Sequence, residues 1–156
     1  MENLQRINVK FYLQDPNSLS GEAAFRIFNT WITESSGEVL VDVADYNHVG
    51  HGPITLLIGH EANYSLDSDE GELGLLYARK QPQEGDLSSR LVRVLTAALN
   101  ACRRLETATE LEHSVSFLGT RLKITANDRL YAPNTEEGES ALRATLDPIL
   151  NRLFAG

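Results

Sequence analysis

Three of the four histidines of the chain lie in one stretch, residues 41–61, whose sequence is VDVADYNHVGHGPITLLIGHE. His48 and His51 are three positions apart, and His60 is followed directly by Glu61. Imidazole nitrogens and carboxylate oxygens are common ligands of zinc and iron in proteins. The residue types therefore suggest a transition-metal site at His48, His51 and His60, and with it a metal-dependent enzyme.

The spacing of these histidines favours a simpler interpretation, in which they hold no metal. The segment around His48 and His51 contains Gly-x-Gly-Pro, which predicts a loop, where residues three apart share no common face. His60 lies about seven residues along the next predicted strand, about 20 Å from that loop at ~3.3 Å per residue. Histidines in such positions more often face solvent or form single hydrogen bonds. We therefore keep the metal site as the alternative and expect no cofactor.

A second group of polar residues lies where predicted strands end. Strand ends and loops are where binding sites concentrate, so convergence of this group over one edge of the sheet would form a site for an anionic small ligand. The competing interpretation is local turn chemistry, with Asp128 in a hairpin and Thr135 at the start of the last helix. The candidate ligand-binding residues are His60, Glu61, Tyr77, Arg79, Lys80, Asn127 and Arg129.

Hydrophobic periodicity predicts an alternation of strands and helices in the order β-α-β-β-β-α-β-β-α. Strands are predicted at 7–13, 38–46, 54–67 and 72–80, with two short strands within 114–128. Helices are predicted at 19–34, at 87–106 and at about 140–154. Three helices over a mostly antiparallel sheet make an α+β two-layer sandwich, and the chain length suits a single domain over residues 1–156.

Charge and composition exclude some partners and favour a compartment. The net charge of −8 repels nucleic acid, and Arg90, Arg93 and Arg104 on one predicted helix are a weak basic face at best. No apolar run of about 18 residues is present, so we expect no contact with a membrane. One cysteine and no apolar leader segment predict a cytoplasmic protein.

The predicted sheet carries more apolar residues than three helices can cover. The segments ITLLIG and LGLLY place apolar side chains on both faces of their strands. A second apolar face requires a partner, and the commonest partner is another copy of the same chain. We therefore expect a homodimer.

Several segments together resemble a family of small bacterial proteins of unknown function. They are VDVADYNHVGHGP, LLIGHEANYSLD, GLLYARK and NDRLYAPNT, and the resemblance covers about residues 7–154. It implies a bacterial cytoplasmic protein and brings no activity, substrate or catalytic residue. The leading hypothesis from the sequence is thus a homo-oligomer that binds a small molecule or a protein.

Overall fold

The computed structural model describes residues 1–155, which form one antiparallel sheet and three helices. The strands are β1 (Ile7–Leu13), β2 (Leu40–Asp45), β3 (Pro53–Gly59), β4 (Ala62–Asp67), β5 (Gly74–Arg79) and β6 (Phe117–Ala126). The helices are α1 (Gly21–Glu34), α2 (Leu87–Glu106) and α3 (Glu136–Phe154). The predicted α+β class is confirmed.

The strands lie in the order β2-β3-β4-β5-β1-β6, and every neighbouring pair is antiparallel. β1 therefore lies inside the sheet, although it is first in the chain. Alternate side chains of a strand share a face, so residues paired across the sheet form rows. One buried row, facing the helices, consists of Val43, Leu57, Tyr64, Tyr77, Val9 and Ile124.

Two of the helices, α1 and α2, pack directly on this face of the sheet. α1 packs on β2 and β3, and α2 packs on β1 and β5. α3 contacts α2 and lies beside β6, with Leu146 and Ile149 in the shared core. Each helix begins at a side-chain cap, from Ser20, Asp86 and Thr135, which accepts a hydrogen bond from an otherwise unpaired backbone N–H.

The segment predicted as one long strand at 54–67 is two strands. The chain reverses at His60 and Glu61, so that β3 and β4 form a tight hairpin. At Gly59, the last residue of β3, a side chain would clash with the carbonyl oxygen of Ala62 across the turn. The turn therefore requires glycine. The alternating pattern of the sequence continues across the turn, so the residue types do not reveal where the chain reverses.

The C-terminal third also differs in detail from the prediction. Residues 114–128 contain one strand, β6, which pairs with β1 from Ile7 to Leu13 with one irregularity after Phe11. α3 begins at Glu136, earlier than predicted, because Thr135 caps it. Pro148 lies inside this helix.

Candidate functional site: a groove between the edge strand and the last helix

α3 stands over the edge strand β6 and leaves an open groove of about 1500 Å³ between them. β6 forms one wall, α3 forms the other, and the loop of residues 127–135 borders one end. Concave surfaces with aliphatic walls are typical sites for the apolar body of a ligand. The apolar side chains that line it include Leu122, Ile124, Ala126, Leu142, Leu146 and Leu150.

The groove exists because α3 buries only part of its apolar stripe. Leu146 and Ile149 are buried, whereas Leu142 and Leu150, one turn to either side of Leu146, stay partly exposed. Residues four apart on a helix lie on the same face, so all the leucines of this stripe point toward the domain. Leu142 and Leu150 pack against the edge of the core and also line the groove.

Polar residues border the groove at the end where β6 leads into the loop. Asn127 and Arg129 line the groove there, and both side chains are exposed. Within residues 1–155, Arg129 forms no ion pair with a carboxylate. An unpaired guanidinium beside an apolar groove is suited to bind the anionic end of a ligand.

Two neighbouring polar residues serve the local backbone instead. The carboxylate of Asp128 accepts hydrogen bonds from the backbone N–H of Leu130 at 3.1 Å and of Tyr131 at 3.4 Å. The hydroxyl oxygen of Thr135 accepts from the backbone N–H of Gly138 at 3.1 Å. Thr135 therefore caps the last helix, as the turn-chemistry interpretation has it. Asp128 also bonds its local backbone, but its turn leads from β6 into α3 and is not the hairpin of that interpretation.

A second polar cluster lies on the helix-covered face, around Tyr64. The Tyr64 hydroxyl donates to the Glu38 carboxylate, whose two oxygens lie at 3.1 and 3.0 Å. The Tyr64 ring lies edge-on to Trp31, with centroids 6.1 Å apart, and to Tyr77, with centroids 5.2 Å apart. Nothing in the local sequence marks Glu38, which precedes β2 and meets Tyr64 only through the tertiary fold.

Burial changes the proton affinities in this cluster. It raises the pKa of the Glu38 carboxyl above its usual range, while the Tyr64 hydrogen bond acts in the opposite direction. Burial likewise raises the pKa of the Tyr64 and Tyr77 hydroxyls. Both phenols therefore stay protonated at neutral pH, where Tyr64 acts as a hydrogen-bond donor. Since Tyr64 is 7% exposed and Tyr77 3% exposed, the cluster fills its own space and leaves little room for a substrate.

The predicted ligand-binding residues divide between these two places. Tyr77 belongs to the buried cluster, and beside it Arg79 donates to Glu61 at 2.8 Å. Asn127 and Arg129 lie at the groove. The two groups occupy the same end of the sheet, but β1 separates β5 from β6, which puts their strand ends about 10 Å apart at ~4.8 Å per strand.

The remaining predicted residues lie at the surface. His60 occupies the β3–β4 turn, and its backbone N–H donates to the Val39 carbonyl at 2.8 Å. Lys80 follows β5, and its backbone N–H donates to the Glu61 carbonyl at 2.9 Å. Both side chains are exposed. The structure thus brings Lys80 next to the β3–β4 turn but does not bring either side chain to the groove.

The histidines of the opening stretch do not come together. His48 and His51 are exposed in the loop between β2 and β3, where the His48 ring stacks on Tyr46 with centroids 6.4 Å apart. His60 lies at the opposite end of β3, about 20 Å away at ~3.3 Å per residue. Within residues 1–155, no three His, Cys, Asp or Glu side chains are grouped closely enough to hold a metal ion.

The three arginines of α2 named above, Arg90, Arg93 and Arg104, do not form a free basic face. Arg90 is 5% exposed and donates to the Gly85 carbonyl at 2.5 Å. Arg93 donates to the Glu84 carbonyl at 2.6 Å, and Arg104 pairs with Glu34 at 3.0 Å. All three are engaged within the protein, which removes the sequence feature that suggested a phosphate-binding surface.

No family model, curated protein or solved structure matches this chain. Among residues 1–155, no helix combines the length and the hydropathy that crossing a bilayer requires. The groove, with its aliphatic walls and the exposed Asn127 and Arg129, is the part of the described chain best built to receive a ligand.

Proposed function

We propose that this protein binds an elongated small molecule with an apolar body and an anionic end in the groove between β6 and α3. The observation that carries the proposal is the groove itself, whose volume of about 1500 Å³ lies between two walls that each carry aliphatic side chains among polar ones. The aliphatic part of each wall is costly to expose to water, and an apolar ligand removes that cost.

The dimensions of the groove favour an extended ligand. Its β6 wall runs from Leu118 to Ala126, about 26 Å at ~3.3 Å per residue. Compact drug-sized ligands occupy pockets of about 300–1,000 Å³. A long-chain carboxylate matches both the length and the apolar walls.

The charge at the rim supports an anionic end. Arg129 has no carboxylate partner within the described residues, and Asn127 next to it offers an amide N–H₂ donor. A guanidinium forms two parallel hydrogen bonds to a carboxylate. The net negative charge of the chain repels anions, so the proposal of an anionic end depends on local pairing with Arg129.

The first test uses two apolar probes and a pair of matched variants. Palmitate is titrated against 1-anilinonaphthalene-8-sulfonate bound to the wild type, and then to Leu142→Trp and Leu130→Trp. Leu142 lines the groove, whereas Leu130 is 79% exposed outside it. We expect the first variant to weaken palmitate binding at least about tenfold, equivalent to ~1.4 kcal/mol, because the bulkier indole narrows the groove, and the second to leave binding unchanged.

The anionic end is tested by Arg129→Gln and by the uncharged alcohol of the same chain length. Loss of one charge-assisted hydrogen-bonded pair is worth about 1.5–3 kcal/mol, so palmitate should bind the variant about tenfold or more weakly while the alcohol binds both proteins equally. Absence of saturable palmitate binding to the folded wild type would refute the proposal.

A further inference from the structure

We propose that the free edge of β6, the side of its backbone that faces away from β1, accepts an extended peptide inside the groove as a further strand of the sheet. Addition of a strand to an exposed sheet edge is a common mode of peptide binding. The inference goes beyond the proposed binding of an elongated small molecule, because it depends on the backbone of β6 as well as on the aliphatic walls of the groove.

The hydrogen bonds between β1 and β6 show which backbone groups of β6 point away from the sheet. The N–H of Asn127 donates to the Arg6 carbonyl at 2.8 Å, and these two residues continue the register in which Ile7 pairs with Ala126. Opposite residues of antiparallel strands alternate between pairs that exchange both backbone hydrogen bonds and pairs that exchange none. Asn127 belongs to the first kind, so the N–H and C=O of Ala126 point away from β1.

The same alternation directs the backbone groups of Leu122, Ile124 and Ala126 to the free edge, since the register is regular from Ile7 to Phe11. These groups repeat every two residues, about 6.6 Å apart at ~3.3 Å per residue. Among the described residues, no loop, turn or side chain supplies them with a hydrogen bond. The free edge therefore offers a regular row of donors and acceptors to another strand.

The groove reaches this edge as well as the helix side of β6. Its lining includes Leu122 and Ile124, and also Arg121 and Thr125, which alternate with them and lie on the opposite face of the strand. No residue of β6 is buried, although the strand is ten residues long. A cavity that contacts both faces of a strand at its edge also contacts the backbone groups between those faces.

The other edge strand, β2, is protected against pairing in ways that β6 is not. β2 has six residues and an irregular register with β3. The Tyr46 N–H donates to the Ile54 carbonyl, so the outward residues of β2 are Val43 and Asp45. The Asp42 carboxylate accepts a hydrogen bond from the Val43 N–H at 2.8 Å, which occupies an outward donor. Irregularity and acceptor side chains of this kind discourage edge pairing, whereas β6 contains neither proline nor a carboxylate.

An extended peptide is the occupant we infer because it matches both the backbone edge and the aliphatic walls. Its N–H and C=O groups pair with β6, and every second side chain then lies on the side of Leu142 and Leu150, which line the groove. We expect the antiparallel direction, which every pair of this sheet adopts. A carboxylate on the first residue of the peptide then lies toward Arg129, beyond the end of β6.

The first test uses a heptapeptide that begins with glutamate, then alternates valine with threonine, and carries fluorescein at its C-terminus. Fluorescence anisotropy measures its binding to the wild type and to two proline variants. Proline has no N–H and is tolerated on edge strands where the N–H faces outward. We expect Ile124→Pro to weaken binding at least about tenfold, because an outward donor is lost and the ring obstructs the edge. Asp45→Pro, at an outward position of the far edge, should bind like the wild type.

The second test changes only the peptide, so it also decides if Ile124→Pro fails to fold. In the antiparallel arrangement the valine N–H groups face β6 and the threonine N–H groups face away from it. N-methylation of the valines should therefore abolish binding to the wild type, whereas N-methylation of the threonines should leave it within about threefold, since no hydrogen bond to β6 is lost.

Three results would overturn the inference. They are the absence of saturable peptide binding to the wild type, equal affinities of the two methylated peptides, and tighter binding of the valine-methylated one. Ultracentrifugation tests a second copy as the occupant: a wild type at twice the 17.3 kDa chain mass and a monomeric, folded Ile124→Pro would assign the edge to it and also overturn the inference. Palmitate binding to the wild type is measured separately, so the failure of one proposal is distinguished from the failure of the other.

Discussion

Glu38 shows how much a single side chain depends on the fold around it. Its partly exposed carboxylate accepts a hydrogen bond from the Tyr64 hydroxyl, and partial burial raises its pKa. Other charged groups around it are Glu61, which also raises the pKa, and Arg79 and Arg104, which lower it. The net effect is that the folded protein holds a proton on this carboxyl more tightly than the unfolded chain does.

This shift predicts a specific dependence of stability on pH. A carboxyl whose pKa is raised on folding lowers the stability of the protein at pH values above the folded pKa, where it is ionised. The stability is regained as the pH falls through the folded pKa toward the unfolded value near 4.5, because the carboxyl then takes up a proton. We therefore expect the wild type to gain stability relative to Glu38→Gln when the pH is lowered from 7 to 5. Urea unfolding of both proteins at the two pH values measures the difference.

The control for this prediction is Glu22→Gln, which changes a carboxylate that is 83% exposed. It should follow the wild type in its pH dependence. Equal pH profiles for the wild type and Glu38→Gln would show that the Glu38 environment does not favour the protonated form.

At the scale of elements, the β3–β4 hairpin depends on one glycine. The reversal at His60 and Glu61 brings the Ala62 carbonyl so close to Gly59 that a Cβ atom there would clash with it. Because the obstacle is backbone, no rotamer change relieves it. The hairpin in turn fixes the register of β3 and β4, and therefore the rows on both faces of the sheet.

We expect Gly59→Ala to destabilise the protein by about 2 kcal/mol or more, since the backbone must move to make room. Gly119, inside β6, is the matched control, because a Cβ atom at that position meets nothing within 4 Å. Gly119→Ala should be neutral or stabilising by about 0.5 kcal/mol, because it removes freedom from the unfolded chain. Unfolding by denaturant compares the two, and equal stabilities would contradict the close approach.

At the scale of the whole molecule, the sheet decides which candidate residues can act together. His48 and His51 lie at one end of β3 and His60 at the other, so a site holding all three would require the strand to break. The groove is assembled from an edge strand, a loop and a helix that are consecutive in the chain.

The placement of the histidines predicts the outcome of elemental analysis. We expect the untagged protein to carry less than one transition-metal ion per chain, and the double variant His48→Ala, His51→Ala to show the same metal content as the wild type. Plasma mass spectrometry after dialysis against a chelator gives both values. About one zinc or iron per chain, lost in the double variant, would restore the metal-site hypothesis.

The sequence by itself determined the α+β class of this protein, its three helices and most of its strands. Helical spacing of leucines in α2 and alternation in β1 are local signals, and each corresponds to an observed element. Caps at Asp86 and Thr135 are local as well, because a cap bonds within three residues. The turn inside residues 54–67 was not predicted. The clash that makes Gly59 necessary arises only in the folded chain, and the alternating pattern of the sequence continues across the turn.

Only the tertiary structure decided which residues meet. The pairing of Glu38 with Tyr64, the separation of Arg79 from Asn127 by β1, and the groove beside α3 depend on strand order and on helix placement. Leu142, Leu146 and Leu150 show the physical reason most directly. Their spacing identifies an apolar stripe on α3. How much of that stripe is buried depends on the surface that it packs against. Here β6 is the last strand of the sheet, and part of the stripe extends beyond it and stays partly exposed.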